Sequence, residues 1–205
     1  MTSTATTSTR RRSYRWRVVD IVVASVIGVA SGIIFWAWGL AYNPLSAPLQ
    51  AALPGLQALL GGGWLFAGVL GGLIIRKPGA ALYTELVAAT VSALVGSQWG
   101  GALTIMSGLV QGLGAELVFA LFLYASWRPY VACLAGAGAG LALAVNDLIM
   151  WYPGSALPFI IIYTVCSIVS GIVLAGVLSV VAARGLARTG ALSRFAAGRE
   201  FTPQV

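Results

Sequence analysis

Histidine is absent from this 205-residue chain. That removes Ser/His/Asp and Cys/His catalysis, zinc sites that need imidazole, and the commonest general base. Charge is scarce too: Asp, Glu, Lys and Arg make up 8% of the residues, against roughly a quarter in a soluble domain. Water is therefore not the main solvent of this chain. Cysteine occurs twice, and Cys133 and Cys166 both stand in apolar segments, where a thiol packs as a small hydrophobe. The glycine runs at 61–63 and 136–140 lack the strand context and the Lys-Ser/Thr ending of a phosphate cradle. No metal site, no cofactor and no enzymatic activity is expected, since no nucleophile stands with its base.

What is present is apolar: 59% of residues are hydrophobic and the mean hydropathy is +0.92. Twelve basic residues against five acidic ones give a formal net charge of +7. In a polar chain that excess would suggest nucleic acid. Here the basic residues flank apolar runs and read as membrane-orientation signals, so no nucleic-acid partner is expected.

A spanning helix takes about twenty apolar residues. Runs at 18–40, 80–95, 102–124, 131–150 and 157–183 supply five, and a sixth lies between Pro48 and Ile75, interrupted by Pro54 and glycines 61–63. Residues 64–75 read as the end of that span, preceded at 48–60 by a short helix or a re-entrant piece. The basic, Ser/Thr-rich stretch 1–17 runs into the first span without a small-residue cleavage site, so it reads as a tail and not as a cleaved leader. With six spans and this tail in the cytoplasm, all twelve basic residues fall inside. They are Arg10, Arg11, Arg12, Arg15 and Arg17, then Arg76 and Lys77, then Arg128, then Arg184, Arg188, Arg194 and Arg199. Five spans would move the C-terminal tail outward and break the pattern. The expected architecture is all-α: a polytopic six-helix membrane bundle at 18–185 between basic cytoplasmic tails at 1–17 and 186–205.

The opposite side gathers Trp36, Trp38, Tyr42, Asn43, Trp64, Gln98, Trp99, Asn146, Asp147, Trp151 and Tyr152. An interfacial belt accounts for Trp and Tyr. It does not account for the amides and the carboxylate interleaved with the rings, which are what a small-molecule pocket needs.

Glu85 and Glu116 lie inside spans, where a carboxylate costs roughly 2.5–3.5 kcal/mol on insertion scales and so faces protein or a wet cavity. Glu85 shares a stripe with Ala81, Ala88, Ala89, Ser92 and Gly96; small residues there let helices approach, so Glu85 points into the bundle. Gly108, Gly112, Ala115 and Glu116, with Gln111 at the edge, form a second such face, and Gly136, Gly140, Ala144 and Asp147 a third. The bland alternative is that these acids merely hold the bundle together. In the first span Ala24, Gly28 and Gly32 recur every four residues, a stripe suited to tight contact within the bundle or with another membrane protein.

Longer strings carry a resemblance. Trp16-Arg17-Val18-Val19-Asp20-Ile21, Phe35-Trp36-Ala37-Trp38, Gly71-Gly72-Leu73-Ile74-Ile75-Arg76-Lys77-Pro78-Gly79-Ala80-Ala81, Thr84-Glu85-Leu86-Val87-Ala88, Gly96-Ser97-Gln98-Trp99-Gly100 and Gln111-Gly112-Leu113-Gly114-Ala115-Glu116-Leu117-Val118-Phe119 are similar to the substrate-capture subunits of energy-coupling factor vitamin transporters, in the YkoE-like group. The similarity covers roughly 16–185. It implies a six-helix protein of the cell membrane that binds thiamine or its hydroxymethylpyrimidine precursor from outside. It also implies a transmembrane coupling subunit and cytosolic ATPases as partners, with the stripe Ala24, Gly28 and Gly32 as docking surface.

The ligand chemistry suits the residues. An aminopyrimidine offers an amine donor and ring-nitrogen acceptors to a carboxyl group and to amides, and a thiazolium cation suits aromatic faces. The expected substrate-binding set is Glu85, Trp99, Gln98, Gln111, Glu116, Asn146, Asp147, Trp151, Tyr152, Trp36 and Asn43. Glu85 leads for the aminopyrimidine, Trp99 and Trp151 for stacking, and Asp147 for the ligand's charge. The alternative is a stand-alone secondary transporter of a small cationic or heteroaromatic compound with Glu85 or Glu116 as proton relay, although no internal repeat is evident.

Overall fold

The computed structural model describes residues 14–201, with side chains described through residue 198. Arg10, Arg11, Arg12 and the Arg199 side chain therefore lie outside the described residues. Eight α-helices follow one another: α1 (Val18–Ala52), α2 (Phe66–Ile75), α3 (Ala80–Gly96), α4 (Gly101–Leu121), α5 (Pro129–Met150), α6 (Leu157–Ser170), α7 (Leu178–Arg188) and α8 (Ala196–Phe201). A 3₁₀ segment, Leu56–Trp64, leads into α2, and a π-helical segment, Gly171–Val177, joins α6 to α7. No strand occurs among the described residues. Among the described residues five helical stretches are long and apolar enough to cross a membrane, while α3, with 17 residues, is shorter. At 1.5 Å per residue α3 spans about 25 Å, short of the ~30 Å hydrocarbon core.

Two boundaries differ from the sequence reading. Helix α1 does not stop near residue 40 but runs through Pro44 and Pro48 to Ala52, so the segment expected as a separate piece at 48–60 is divided between α1, a turn at Gly55 and the 3₁₀ segment. Each proline frees the carbonyl four residues earlier, Leu40 for Pro44 and Pro44 for Pro48, without unwinding the helix, which membrane helices tolerate. The second difference lies at the C-terminal end. Helix α7 continues to Arg188, and Leu192, Phe195 and Ala197 are buried against Ile74, Ile75, Ala80 and Ala183, so part of the expected tail belongs to the packed bundle.

The helices pack in sequence, α1 on α3, α3 on α4, α4 on α5 and α5 on α6, around the 3₁₀–α2 stretch, the most deeply buried of the five candidate spans. Small residues set the approach. A Cβ on Gly28 would lie 2.6 Å from Val87 Cγ1, and one on Gly32 would lie 2.6 Å from the Ala88 carbonyl oxygen. Ala24, Gly28 and Gly32 are all buried within the bundle, the two glycines against α3. Close packing of α1 on α3 needs those positions to be small.

One end of the bundle carries the described basic loops. Asp20 accepts from Arg17 (Nη2 to Oδ1, 3.0 Å) and from Lys77, and Trp16 Nε1 donates to the Pro78 carbonyl at 3.0 Å. The Arg76 guanidinium lies 5.7 Å from the centre of the Trp127 ring. Asp20 is fully buried, a state that its two basic partners compensate. The other end carries an aromatic cluster around a cavity.

Candidate functional site: an aromatic-mouthed cavity with a buried carboxylate

The site begins where the 3₁₀ segment gives way to α2. A helix leaves the N–H groups of its first turn without intrahelical partners, and no side chain local to α2 caps it. Glu85 of α3 supplies the acceptor: Gly68 N donates to Glu85 Oε2 at 2.6 Å. The N-terminal end of the helix dipole favours a carboxylate in this position. Glycine at 68 permits the approach, because a Cβ there would stand 3.1 Å from Glu85 Oε2 and from the Ala81 carbonyl oxygen. On the other side Gly112 of α4 admits the Glu85 stem, its own missing Cβ lying 3.0 Å from Glu85 Cβ. Glu85 is 1% exposed, and its second oxygen, Oε1, has no hydrogen-bond partner. A buried unpartnered carboxylate oxygen is costly, and the side chain that carries this one lines a cavity.

That cavity measures about 270 Å³, near the lower end of the ~300–1,000 Å³ range of small-molecule sites. Glu85, Ala89, Gly108 and Gln111 line it from α3 and α4, and Gln57, Ala58 and Gly61 from the 3₁₀ segment. Aromatic rings surround its outer part. Tyr42 stands 5.3 Å from both Trp64 and Trp99, Trp64 stands 6.2 Å from Trp99, and Trp99 stands 5.8 Å from Trp151. The indole N–H of Trp64 is engaged by the Phe35 carbonyl at 3.1 Å, which fixes that ring as a wall. Asp147 lies higher than Glu85, half-buried among Tyr152, Tyr163 and Trp151. It accepts from Tyr163 Oη at 2.7 Å and from Asn146 Nδ2 at 3.1 Å.

Of the residues expected from sequence, Glu85, Trp99, Gln111, Asp147, Trp151 and Tyr152 line this one cavity. Asn146 stands behind it, bridging Ser107 Oγ (3.1 Å) and Asp147, so it orients the acid. Gln98 and Asn43 face away: Gln98 Nε2 donates to the Gly39 carbonyl at 2.6 Å and Asn43 Nδ2 to Gln98 Oε1 at 3.4 Å. They tie the Trp99-bearing turn to α1. Trp36, partly buried on α1, is not among the lining residues.

Glu116 lies elsewhere. Its carboxylate accepts from Gly79 N (2.6 Å), Ala81 N (2.9 Å), Leu82 N (3.3 Å) and Tyr124 Oη (2.7 Å). It caps α3 at the basic end of the bundle and is not among the residues that line the cavity. Burial, and then the bond to this acid, pushes the Tyr124 phenol above its ordinary range. Sequence reasoning missed Gln57 and Tyr163. For Tyr163 a signal existed, since a phenol inside an apolar span needs a partner.

The chain matches, over residues 19–142, the family model described as an ABC-type cobalt transport system, permease component. It is 35% identical over 189 residues, spanning 90% of this chain and 92% of the relative, to the Bacillus subtilis (strain 168) protein named "Putative HMP/thiamine permease protein YkoE". Its fold is similar to a solved structure described as "Crystal structure of an S-component of ECF transporter", with a TM-score of 0.83 and 34% identity, covering 91% of this chain and 93% of that one. Such components bind a substrate and do no chemistry on it, which accords with a cavity that holds carboxylates and rings but no histidine. The chain therefore belongs to the YkoE-like S-components of energy-coupling factor transporters, substrate-binding proteins that pass several times through the membrane.

Proposed function

We propose that this S-component captures thiamine or its hydroxymethylpyrimidine precursor from outside the cell and passes it inward, driven by ATP hydrolysed on separate chains through a transmembrane coupling subunit. The observation that carries this reading is the buried, unpartnered Oε1 of Glu85, a side chain that lines the cavity. An aminopyrimidine amine donates to that oxygen, and Gln111 is placed to serve the ring nitrogens. The name of the Bacillus subtilis relative, an HMP/thiamine permease, supports the choice of ligand. A thiazolium ring, being a permanent cation, sits against the aromatic face of Trp99 or Trp151 with Asp147 beside it, where cation–π attraction reaches about 2 kcal/mol once water is excluded.

The orientation follows from charge. With six spans, α3 being the shortest, the end bearing Arg17, Arg76, Lys77 and Arg128 faces the cytoplasm together with both termini, and the cavity opens outward. The bundle at 18–185 is the substrate-binding unit in this reading. Purified protein in lipid nanodiscs tests it: thiamine or hydroxymethylpyrimidine quenches tryptophan fluorescence saturably, and Glu85→Ala abolishes the response. Unchanged affinity in that variant removes Glu85 from the site. The proton-coupled alternative has less support, because Glu116 is spoken for by three amides and a phenol.

A further inference from the structure

The charges that line the cavity bear on which chemical forms of the cargo can enter. Two carboxylates reach it at different depths, Glu85 at the floor and Asp147 near the half-exposed rings of Trp99 and Trp151. Among the described residues no Lys or Arg lines it, and neither acid forms an ion pair; Arg17 and Lys77 both pair with Asp20, at the far end of the bundle. The donors near Asp147 are neutral. Tyr163 and Asn146 bond to Asp147 itself, and Thr104 Oγ1 bonds to Ser97 Oγ at 2.9 Å and to the Gly100 carbonyl at 2.8 Å.

We infer that the cavity selects the free alcohol of its cargo and rejects the phosphate ester of that alcohol. This rests on the aminopyrimidine reading given above. Thiamine and hydroxymethylpyrimidine each carry a primary hydroxyl, and esterification with phosphate adds a group of nearly two negative charges at neutral pH. A ligand with its amine on Glu85 directs that group toward Asp147 and the aromatic mouth. The first turn of α4 near the mouth is a partial positive charge, and such an end is equivalent to about half a charge. It does not balance a full carboxylate facing a dianion in a pocket that excludes water. Rejection by an unpaired like charge is a recognised source of specificity, and the ~270 Å³ volume leaves little room to turn the ester away from Asp147.

The test is competition against radiolabelled thiamine on the full-length protein in nanodiscs, with thiamine, thiamine monophosphate, hydroxymethylpyrimidine and its monophosphate as probes. Each ester is expected to compete on the order of tenfold or more less well than its alcohol. In Asp147→Asn the ratio of ester to alcohol falls toward one, and Thr104→Lys, which places a cation at the mouth without touching either acid, lowers the ratio in the same direction. Esters that compete within about threefold of their alcohols in the wild-type protein overturn the inference and leave the cargo assignment standing. If none of the four probes competes or binds, the cargo assignment fails and the inference falls with it.

Discussion

Gly68 N donates to Glu85 Oε2 at 2.6 Å and leaves Oε1 buried without a partner, on a side chain that lines the cavity. One oxygen is thus committed to the first turn of α2, and the other has no donor among the described residues. The bond orients the carboxylate and fixes its rotamer before any ligand arrives, so little side-chain entropy is lost on binding.

Replacing Glu85 by Gln separates the two oxygens. With the amide oxygen kept on Gly68 N, the amide nitrogen turns into the cavity and meets the ligand's amine donor to donor. Affinity for thiamine and hydroxymethylpyrimidine falls by about 10²-fold or more, the cost of an unpaired buried donor on each side, while thermal stability stays close to wild type. Isothermal titration calorimetry with a parallel melting curve checks both halves.

Gly68→Ala acts on the same oxygen from the backbone side. The added Cβ stands 3.1 Å from Glu85 Oε2 and from the Ala81 carbonyl, tighter than ordinary contact, so the carboxylate or α2 must shift. Overpacking of this kind costs about 1–3 kcal/mol. Weaker ligand binding and a lower melting temperature appear together, in contrast to Glu85→Gln.

Trp99→Ala separates the two cargo molecules. Hydroxymethylpyrimidine lacks the permanent cation, so the ring at 99 contributes to it by apolar contact alone, whereas thiamine also loses a cation–π contact of about 0.5–2 kcal/mol. The expected result is a loss for thiamine about three- to thirtyfold greater than for the precursor, read by competition binding. An equal loss for both places the thiazolium away from Trp99.

Glu116→Gln leaves the cavity untouched and loosens the start of α3. Three amide N–H groups and a phenol that donate to a carboxylate now face a neutral amide with a single acceptor oxygen, and charge-assisted bonds are about twice as strong as neutral ones. Stability drops by roughly 1–3 kcal/mol with the ligand affinity unchanged. A variant that instead lost binding at full stability would return Glu116 to the substrate site.

The contrast between these two acids shows what the sequence could and could not reveal. Both stand in Ala/Gly-rich faces of adjacent helices, so the pattern marks both as buried and partnered inside the bundle. What separates them is the neighbour: α2 for Glu85, the start of α3 for Glu116. Helix α3 opens on Gly79-Ala80-Ala81-Leu82 with no capping side chain of its own, which is a legible demand for an acceptor from elsewhere, though not for a particular one. The spans were readable because twenty apolar residues and an uneven distribution of arginine are one-dimensional signals. The continuation of α1 through Pro44 and Pro48 was not, since proline marks a break unless tertiary neighbours and hydroxyls stand in for the missing bonds, and those are set by packing.

Gly28 decides whether the first helix's small stripe serves the fold or a partner. In the structure its missing Cβ faces Val87 Cγ1 at 2.6 Å and the Thr84 carbonyl at 3.0 Å, and that of Gly32 faces α3 in the same way. A β-branched residue at 28 has backbone on one side and a stiff valine on the other, so α1 must move off α3. Gly28→Val is therefore expected to lower the stability of the isolated protein by about 1–3 kcal/mol, measured by melting in detergent with no other subunit present. Were the stripe a docking surface, the isolated protein would melt as wild type and only assembly with a coupling subunit would suffer. Gly28→Ala adds a single methyl at the same place and gives a smaller loss in the same direction, so the pair grades the contact by volume.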